Sequence, residues 1–341
     1  MDMIRKVLIT GCSGFLGQKL LEVRTGESFL ESPGCHRQND IQNNIQNNIQ
    51  NKIHGITEIM DYESPDITVH HVDIRDREKV FSIVETVKPD VTFHLAAIAN
   101  VGYSWKNQIS TYEINFIGSS NLLEALAKFV PGSRVLLMST AELYGKSQKD
   151  LMDESTPTSA RNPYALSKKA MEMLGDLYLD AKKLDIIKLR SFNFTGPGQD
   201  RKFVASDFSF QIAEIEKGKR EPVIRVGNLS AIRDISDVRD IARFLKVIAN
   251  KGESGGIYNL CSGKAFSIHA LLDILLSLAA VKIDVVVDED KFRPIDIPRL
   301  VGDNRRIRDI FGLQPEYSIE QTLTDLLDYW RQKVDIVTGS E

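Results

Sequence analysis

Short apolar runs alternate with longer amphipathic stretches through the first 190 positions of the chain. Val7-Leu8-Ile9-Thr10 is apolar and partly β-branched, Gly11 opens a turn, and Phe15 to Val23 carries apolar residues at helical spacing. The same alternation returns several times. Thr68 to Val72 reads as a strand and Val80 to Val87 as a helix stopped by Pro89; Val91 to Leu95 is the next strand. Tyr112 to Phe129 predicts a long amphipathic helix ended by Pro131-Gly132, Val135 to Met138 a buried strand, Pro163 to Ala181 a second long helix and Ile186 to Leu189 one more strand. Parallel strands need crossover connections and helices supply them, so the pattern predicts an α/β protein with a doubly wound parallel sheet.

The second half is less regular. Ile212 to Lys217, Val238 to Ala249, Ile268 to Ala280 and Ile319 to Tyr329 have helical spacing, while Gly256 to Leu260 and Val285 to Val287 read as strands. The division expected is a dinucleotide-binding domain over 1–190, completed by about 229–260, and a smaller α/β substrate-binding lobe over 191–228 and 261–341. Asn39 to Asn51 breaks the pattern with Ile41, Ile45 and Ile49, each followed by Gln and Asn. Asn is a weak helix former, so 38–51 reads as a low-complexity polar insert that delays the second strand to Lys52–Ile56.

Composition narrows the classes. A chain of 341 residues with 42% hydrophobic and 26% charged positions can bury a real core. A net charge of −4 offers no field for nucleic acid or an anionic membrane. No apolar run approaches the roughly 20 residues of a membrane helix, and the first apolar stretch is too short for a signal peptide. Cys12, Cys35 and Cys261 are far apart, without metal-ligand spacing. A cytoplasmic setting with no disulfide framework and no metal is the expectation.

Two motifs carry chemistry. Gly11-Cys12-Ser13-Gly14-Phe15-Leu16-Gly17 follows the first strand and opens the first helix, where glycines let the backbone approach a pyrophosphate and the helix terminus favours negative charge. Asp73, with Ile74 beside it, follows the Val69–Val72 run, where a carboxylate can accept from an adenine amino group or cap the Arg75–Thr86 helix. Leu95-Ala96-Ala97 leaves room for a cofactor beside the sheet. Thr57 lacks the acid that binds a ribose 2′-hydroxyl, while Glu58 does not welcome a 2′-phosphate; NAD(H) and NADP(H) stay open, with NADP preferred. The second motif is Tyr164-Ala-Leu-Ser-Lys168, which puts a phenol and an ammonium on one helix face. The ammonium is expected to lower the phenol's pKa. Thr140 ends a strand where its hydroxyl can bond a substrate oxygen, and Glu142 lies two residues on, as site lining or as a base.

The chain resembles the extended short-chain dehydrogenase/reductase family along nearly its whole length, outside the Gln/Asn-rich stretch. The matching segments include His94-Leu-Ala-Ala97, Asn162-Pro-Tyr-Ala165, Arg190-Ser-Phe-Asn-Phe-Thr-Gly-Pro-Gly-Gln199, Arg225-Val-Gly-Asn228 and Arg233-Asp-Ile-Ser-Asp237. Within that family it is similar to the GDP-4-keto-6-deoxy-D-mannose reductases, with the GDP-mannose 4,6-dehydratases as near neighbours and 4-epimerases sharing the fold. Phe194 departs from the His usual in the reductases. The resemblance implies a Rossmann-like fold and reduction of a GDP-linked 4-keto-6-deoxyhexose to GDP-D-rhamnose. It further implies catalysis by Thr140, Tyr164 and Lys168, and cofactor contacts from the glycine turn, Tyr164 and Lys168. Substrate contacts would come from Trp105, Asn193, Val204, Arg225, Arg233 and Arg293. A homodimer built from helices Tyr112–Phe129 and Pro163–Ala181 is implied as well. Guanidinium groups suit a diphosphate through forked hydrogen bonds, although Arg233 beside Asp234 and Arg293 near Asp290 also fit surface ion pairs. A cofactor-binding sensor without turnover is the alternative outside enzymes.

Overall fold

The apolar runs of the first half pair side by side: β1 (Val7–Thr10) lies in parallel register between β2 (Ile53–Thr57) and β4 (Val91–His94). The computed structural model describes residues 6–22, 53–59, 62–64, 67–147, 149–288, 290 and 297–337. The insert expected at 38–51, Cys35 and Arg293 lie outside them. With β3 (Thr68–His71), β5 (Arg134–Thr140), β6 (Asp185–Ser191) and β11 (Ile257–Leu260), the strands form one seven-stranded sheet in the order β11-β6-β5-β4-β1-β2-β3. Strand order reverses between β1 and β4, so their carboxyl ends flank a switch point, where open α/β sheets bind ligands.

Helices follow from local chemistry. Helix α1 (Phe15–Glu22) leaves the glycine turn. Asp76 caps α2 (Arg77–Val87) by accepting from the Lys79 N–H, and Lys88 ends it in the left-handed region at φ 49°. Helix α3 (Val101–Lys106) is capped by Asn100. The single helix expected over Tyr112–Phe129 is instead α4 (Gln108–Tyr112), a π-helical turn over Glu113–Ile117, and α5 (Gly118–Phe129). Close packing accounts for Gly118, where a Cβ would lie 2.4 Å from Ile74 Cγ2. The π turn carries Asn115, whose amide spans the Ile98 backbone and Ser167. Helix α6 (Pro163–Asp180) has Asn162 as its cap and proline at its first position. Leu8, Ile56, Val84, Leu122, Leu126, Leu137, Met171 and Ile186 share one buried core beneath these elements.

The chain divides into two units. The first gathers Met1–Leu143, Asn162–Arg190 and Ala242–Tyr258; the second gathers Tyr144–Arg161, Ser191–Ile241 and Asn259–Glu341. Two boundaries differ from the sequence reading. Tyr144–Arg161 joins the second unit because Tyr144 donates to Asn259 Oδ1 across 2.6 Å, Met152 bonds Val301, and Glu154 accepts from the Asn259 N–H. Residues 229–241 also stay there. Their strands β9 (Ile232–Arg233) and β10 (Ile235–Asp237) pair with β12 (Phe266–Ser267), β14 (Arg299–Leu300) and β7 (Asn193–Thr195).

The second unit also holds β8 (Val223–Val226) beside β13 (Asp284–Val287). Its first helix, α7, runs over Val204–Glu216, longer than the Ile212–Lys217 that periodicity predicts. Buried polar residues obscure the pattern there: Ser206 bonds Gln199 O, Ser209 bonds Ala205 O, and Gln211 bonds Asp207 one turn back. Helices α8 (Val238–Lys251), which runs on into the first unit, α9 (Ile268–Ser277), α10 (Arg305–Phe311) and α11 (Ile319–Val337) complete the chain. Phe208, Ile212, Ile224, Leu271, Leu323 and Trp330 pack into a second core, and the Trp330 indole donates to Ser206 Oγ at 2.8 Å.

Candidate active site

The glycine turn is forced by space. Gly11 sits at φ 73°, and a Cβ there would lie 2.8 Å from Ala96 N. On Gly17 it would lie 2.3 Å from Gly11 O. Strand end, turn and helix start are therefore drawn tight, which brings backbone close to any ligand at the α1 terminus. Cys12 is small packing against Gly55, and burial pushes its thiol up to about 11, which is wrong for a redox thiolate. Phe15 and Leu16 begin α1, and Leu16 is buried. Ser13 and Thr57 share a 2.6 Å hydroxyl bond, and Thr57 also accepts from Ile59 N.

An open cleft of about 380 Å³ lies beside the ends of β2 and β3, lined by Glu58, His71, Val72, Asp73, Asp76 and Lys79. Asp73 does not cap the following helix; Asp76 does. The Asp73 carboxylate instead grips Arg75 through its N–H and guanidinium, which holds its pKa below the usual range. Ile74 is buried against Gly118. Leu95 and Ala96 are tied to Thr10 by backbone N–H groups, and Ala97 follows them.

Thr140 ends β5, and Tyr164 and Lys168 lie on α6. The Tyr164 phenol lies beside the Thr140 hydroxyl. The Lys168 ammonium donates to Met138 O at 2.7 Å. Tyr164 is only 8% exposed, and burial pushes its phenol up to about 12, with Thr140 opposing and Glu142 adding to the rise. That corrects the expectation that Lys168 lowers the phenol's pKa: the ammonium faces a strand carbonyl, and burial dominates. Burial also brings Lys168 down to about 7, against the nearby charge of Glu172. Glu142 is held by Asn162, whose amide donates to it at 2.9 Å, while its own N–H donates to Thr140 Oγ1 at 3.2 Å.

Two contributors escaped the sequence reading. Asn162 both caps α6 and orients Glu142; a cap residue before Pro163 was the available signal. Glu172, buried one turn beyond Lys168, binds Ser139 and Arg190, and its i+4 spacing was the only hint.

Trp105 lies on α3 of the same unit, half-buried, and its indole N–H is buried with no acceptor among the described residues. In the second unit, Asn193 is exposed on β7, Val204 begins α7 and Arg225 is exposed on β8. Arg233 is buried on β9 and donates to Ile232 O. The Asp234 carboxylate faces the other way, taking hydrogen bonds from Ser262, Gly263 and Gly302, and burial raises it to about 6.

A parallel sheet with a glycine turn at its switch point and a Thr–Tyr–Lys set beside it defines an NAD(P)-dependent nucleotide-sugar enzyme of the extended short-chain dehydrogenase/reductase type. A family model described as GDP-mannose 4,6 dehydratase matches residues 8–326, and the chain belongs to that family. It is 32% identical to a GDP-6-deoxy-D-mannose reductase of Pseudomonas aeruginosa, over 72% of this chain and 82% of that one. A GDP-6-deoxy-D-talose 4-dehydrogenase of Aggregatibacter actinomycetemcomitans is 27% identical over 90% of this chain and 91% of its own. Among solved structures, RMD from Pseudomonas aeruginosa complexed with NADPH superposes with a TM-score of 0.80 at 27% identity, covering 96% of this chain and 99% of that one. The turn fits such a dinucleotide, since glycine at 11 and 17 lets β1, the turn and α1 draw together where a Cβ would strike backbone atoms. No helix among the described residues is long and apolar enough to cross a membrane.

Proposed function

We propose that the enzyme reduces the 4-keto group of a GDP-linked 6-deoxyhexose, turning GDP-4-keto-6-deoxy-D-mannose into GDP-D-rhamnose. The carrying observation is the Tyr164 phenol, buried beside the Thr140 hydroxyl. Reduction of a ketone needs a proton donor at the oxygen, and a protonated phenol is that donor. A bound reduced nicotinamide would supply the hydride for the carbonyl carbon. Tyr164 gives its proton to the carbonyl oxygen, Thr140 holds that oxygen by a second hydrogen bond, and Lys168 would hold the ribose hydroxyls of a bound nicotinamide nucleotide.

In this reading the glycine turn from Gly11 to Gly17 takes the pyrophosphate, and Thr57, Asp73 and Ile74 take the adenosine half. Leu95, Ala96 and Ala97 line the approach to the nicotinamide. Trp105 offers its unpartnered indole N–H to the substrate. Asn193, Val204 and Arg225 contact the nucleotide sugar, and Arg233 and Arg293 the diphosphate. The Pseudomonas relative, named as a GDP-6-deoxy-D-mannose reductase, supports this substrate. Two copies associate through the stretch Tyr112–Phe129 and through α6, whose outer faces expose Ile117, Leu166, Met173 and Leu177.

Glu142 favours a second reading. A carboxylate fixed by Asn162 beside Thr140 suits the proton abstraction of a 4,6-dehydratase. Incubation with NADPH or NADH and the GDP-linked ketosugar tests the first: nicotinamide absorbance falls in step with product. Turnover of GDP-mannose without net cofactor loss would assign the dehydratase instead. Tyr164→Phe should cost about 100-fold or more in either reaction.

A further inference from the structure

His94, the last residue of β4, is fully buried between two halves of the site. Its Nδ1 lies 2.7 Å from Thr10 Oγ1, and its Nε2 lies 2.7 Å from Ser119 Oγ. The neighbours fix who donates. Ser119 gives its only hydroxyl hydrogen to Asn115 O at 2.6 Å, so it accepts from His94 Nε2–H. A neutral ring with its hydrogen on Nε2 leaves Nδ1 bare, so Thr10 donates to Nδ1 while its oxygen accepts from the Ala96 N–H at 3.2 Å. The ring is therefore the neutral Nε2–H tautomer. A second proton would set Nδ1–H against Thr10 and strand the threonine hydrogen in a dry site.

The chain of bonds continues on the Ser119 side. Asn115 Nδ2 donates to Ile98 O at 3.0 Å and to Ser167 Oγ at 2.9 Å, and Ser167 donates to Tyr164 O at 2.7 Å. On the Thr10 side it reaches the Ala96 backbone, against which Gly11 packs. One imidazole thus joins the strand end that opens the glycine turn to the helix that carries the phenol. Burial, and after it the charge of Lys168, hold His94 down to about 3.

We propose that His94 is a positioning residue, a neutral two-armed strut whose Thr10 arm sets the glycine turn and whose Ser119 arm sets the backbone of Tyr164. This rests on the reading of both as parts of one nicotinamide-dependent site. The arms are separable by substitution. An asparagine amide reaches where Nδ1 lies and keeps the Thr10 arm; a glutamine amide reaches where Nε2 lies and keeps the Ser119 arm.

With NADPH and the GDP-linked ketosugar, His94→Asn should hold the cofactor KM within about twofold and lower kcat about tenfold; His94→Gln should do the reverse. Equal changes in both constants for both variants, or none, overturn the proposal. Histidine nitrogen NMR of the unsubstituted protein gives a second reading that needs no variant to fold. The expected signal is a protonated Nε2 and a bare Nδ1 that do not titrate between about pH 5 and about pH 9, and a ring titrating near the ordinary histidine value of about 6.5 overturns it. If the unsubstituted enzyme leaves the ketosugar untouched, the proposed function fails by itself. The nitrogen spectrum and fluorescence titration of NADPH against each variant still decide the role of His94.

Discussion

Ser139 donates its hydroxyl to Glu172 across 2.6 Å, and Arg190 closes on the same carboxylate from the neighbouring strand, all three buried. The residue before Thr140 and the residue one turn beyond Lys168 are thereby pinned together. The Glu172 charge also props up the Lys168 ammonium against burial.

Glu172→Gln should therefore act twice. Losing the carboxylate strands a buried guanidinium, which costs about 3–5 kcal/mol in urea unfolding. It also removes the support for the ammonium, so the alkaline fall in kcat moves to lower pH. A pH profile identical to the parent's would deny Glu172 any electrostatic part.

Lys168 links stability to pH in a stated direction. Its pKa is lowered from 10.5 to about 7, so between those values the unfolded chain binds more protons than the folded one. Stability then rises with pH across that window, by up to ~1.4 kcal/mol per unit, and the full cost of the buried charge is felt below about pH 7. Lys168→Met should flatten that rise and abolish turnover. Denaturation curves at about pH 6 and about pH 10 check it; an unchanged difference between them would contradict the buried-charge account.

Gly17 and Gly14 should part company. An alanine Cβ at 17 meets the Gly11 carbonyl oxygen at 2.3 Å and the Cys12 backbone at 2.8 Å, whereas at 14 the nearest atom is that oxygen at 3.2 Å. Gly17→Ala should weaken NADPH binding by about tenfold or more, and Gly14→Ala by about threefold at most. Fluorescence titration of the cofactor measures both.

The outer face of α6 exposes Met173 at 58% and Leu177 at 66%. If two copies meet there, Leu177→Glu should halve the mass seen by sedimentation equilibrium while leaving helix content unchanged. A monomeric parent protein would remove the dimer from the proposal.

The strand–turn–helix of Gly11–Gly17 and the Tyr164–Lys168 pair were legible because each depends on spacing within one short segment. Asp73 was ambiguous for the opposite reason: its partner was decided by the fold of Arg75, and the capping duty fell to Asp76. The phenol's pKa was misjudged because a sequence shows which charge is near but not how dry the site is. Helix α7 was read short because its buried polar residues satisfy one another out of sight of any hydropathy pattern.

Sequence alone determined the alternating architecture, the glycine turn and the placing of Tyr164 and Lys168 one turn apart on one helix, since these follow from periodicity and from short spacings. Tertiary structure decided the rest: that Glu172 underlies Lys168, that Asn162 aims Glu142, and that His94 joins Thr10 at the end of β1 to Ser119 on α5. Hydrogen bonds between residues 20 to 84 positions apart leave no periodic trace in a chain. Only the packing of the sheet brings their atoms within reach.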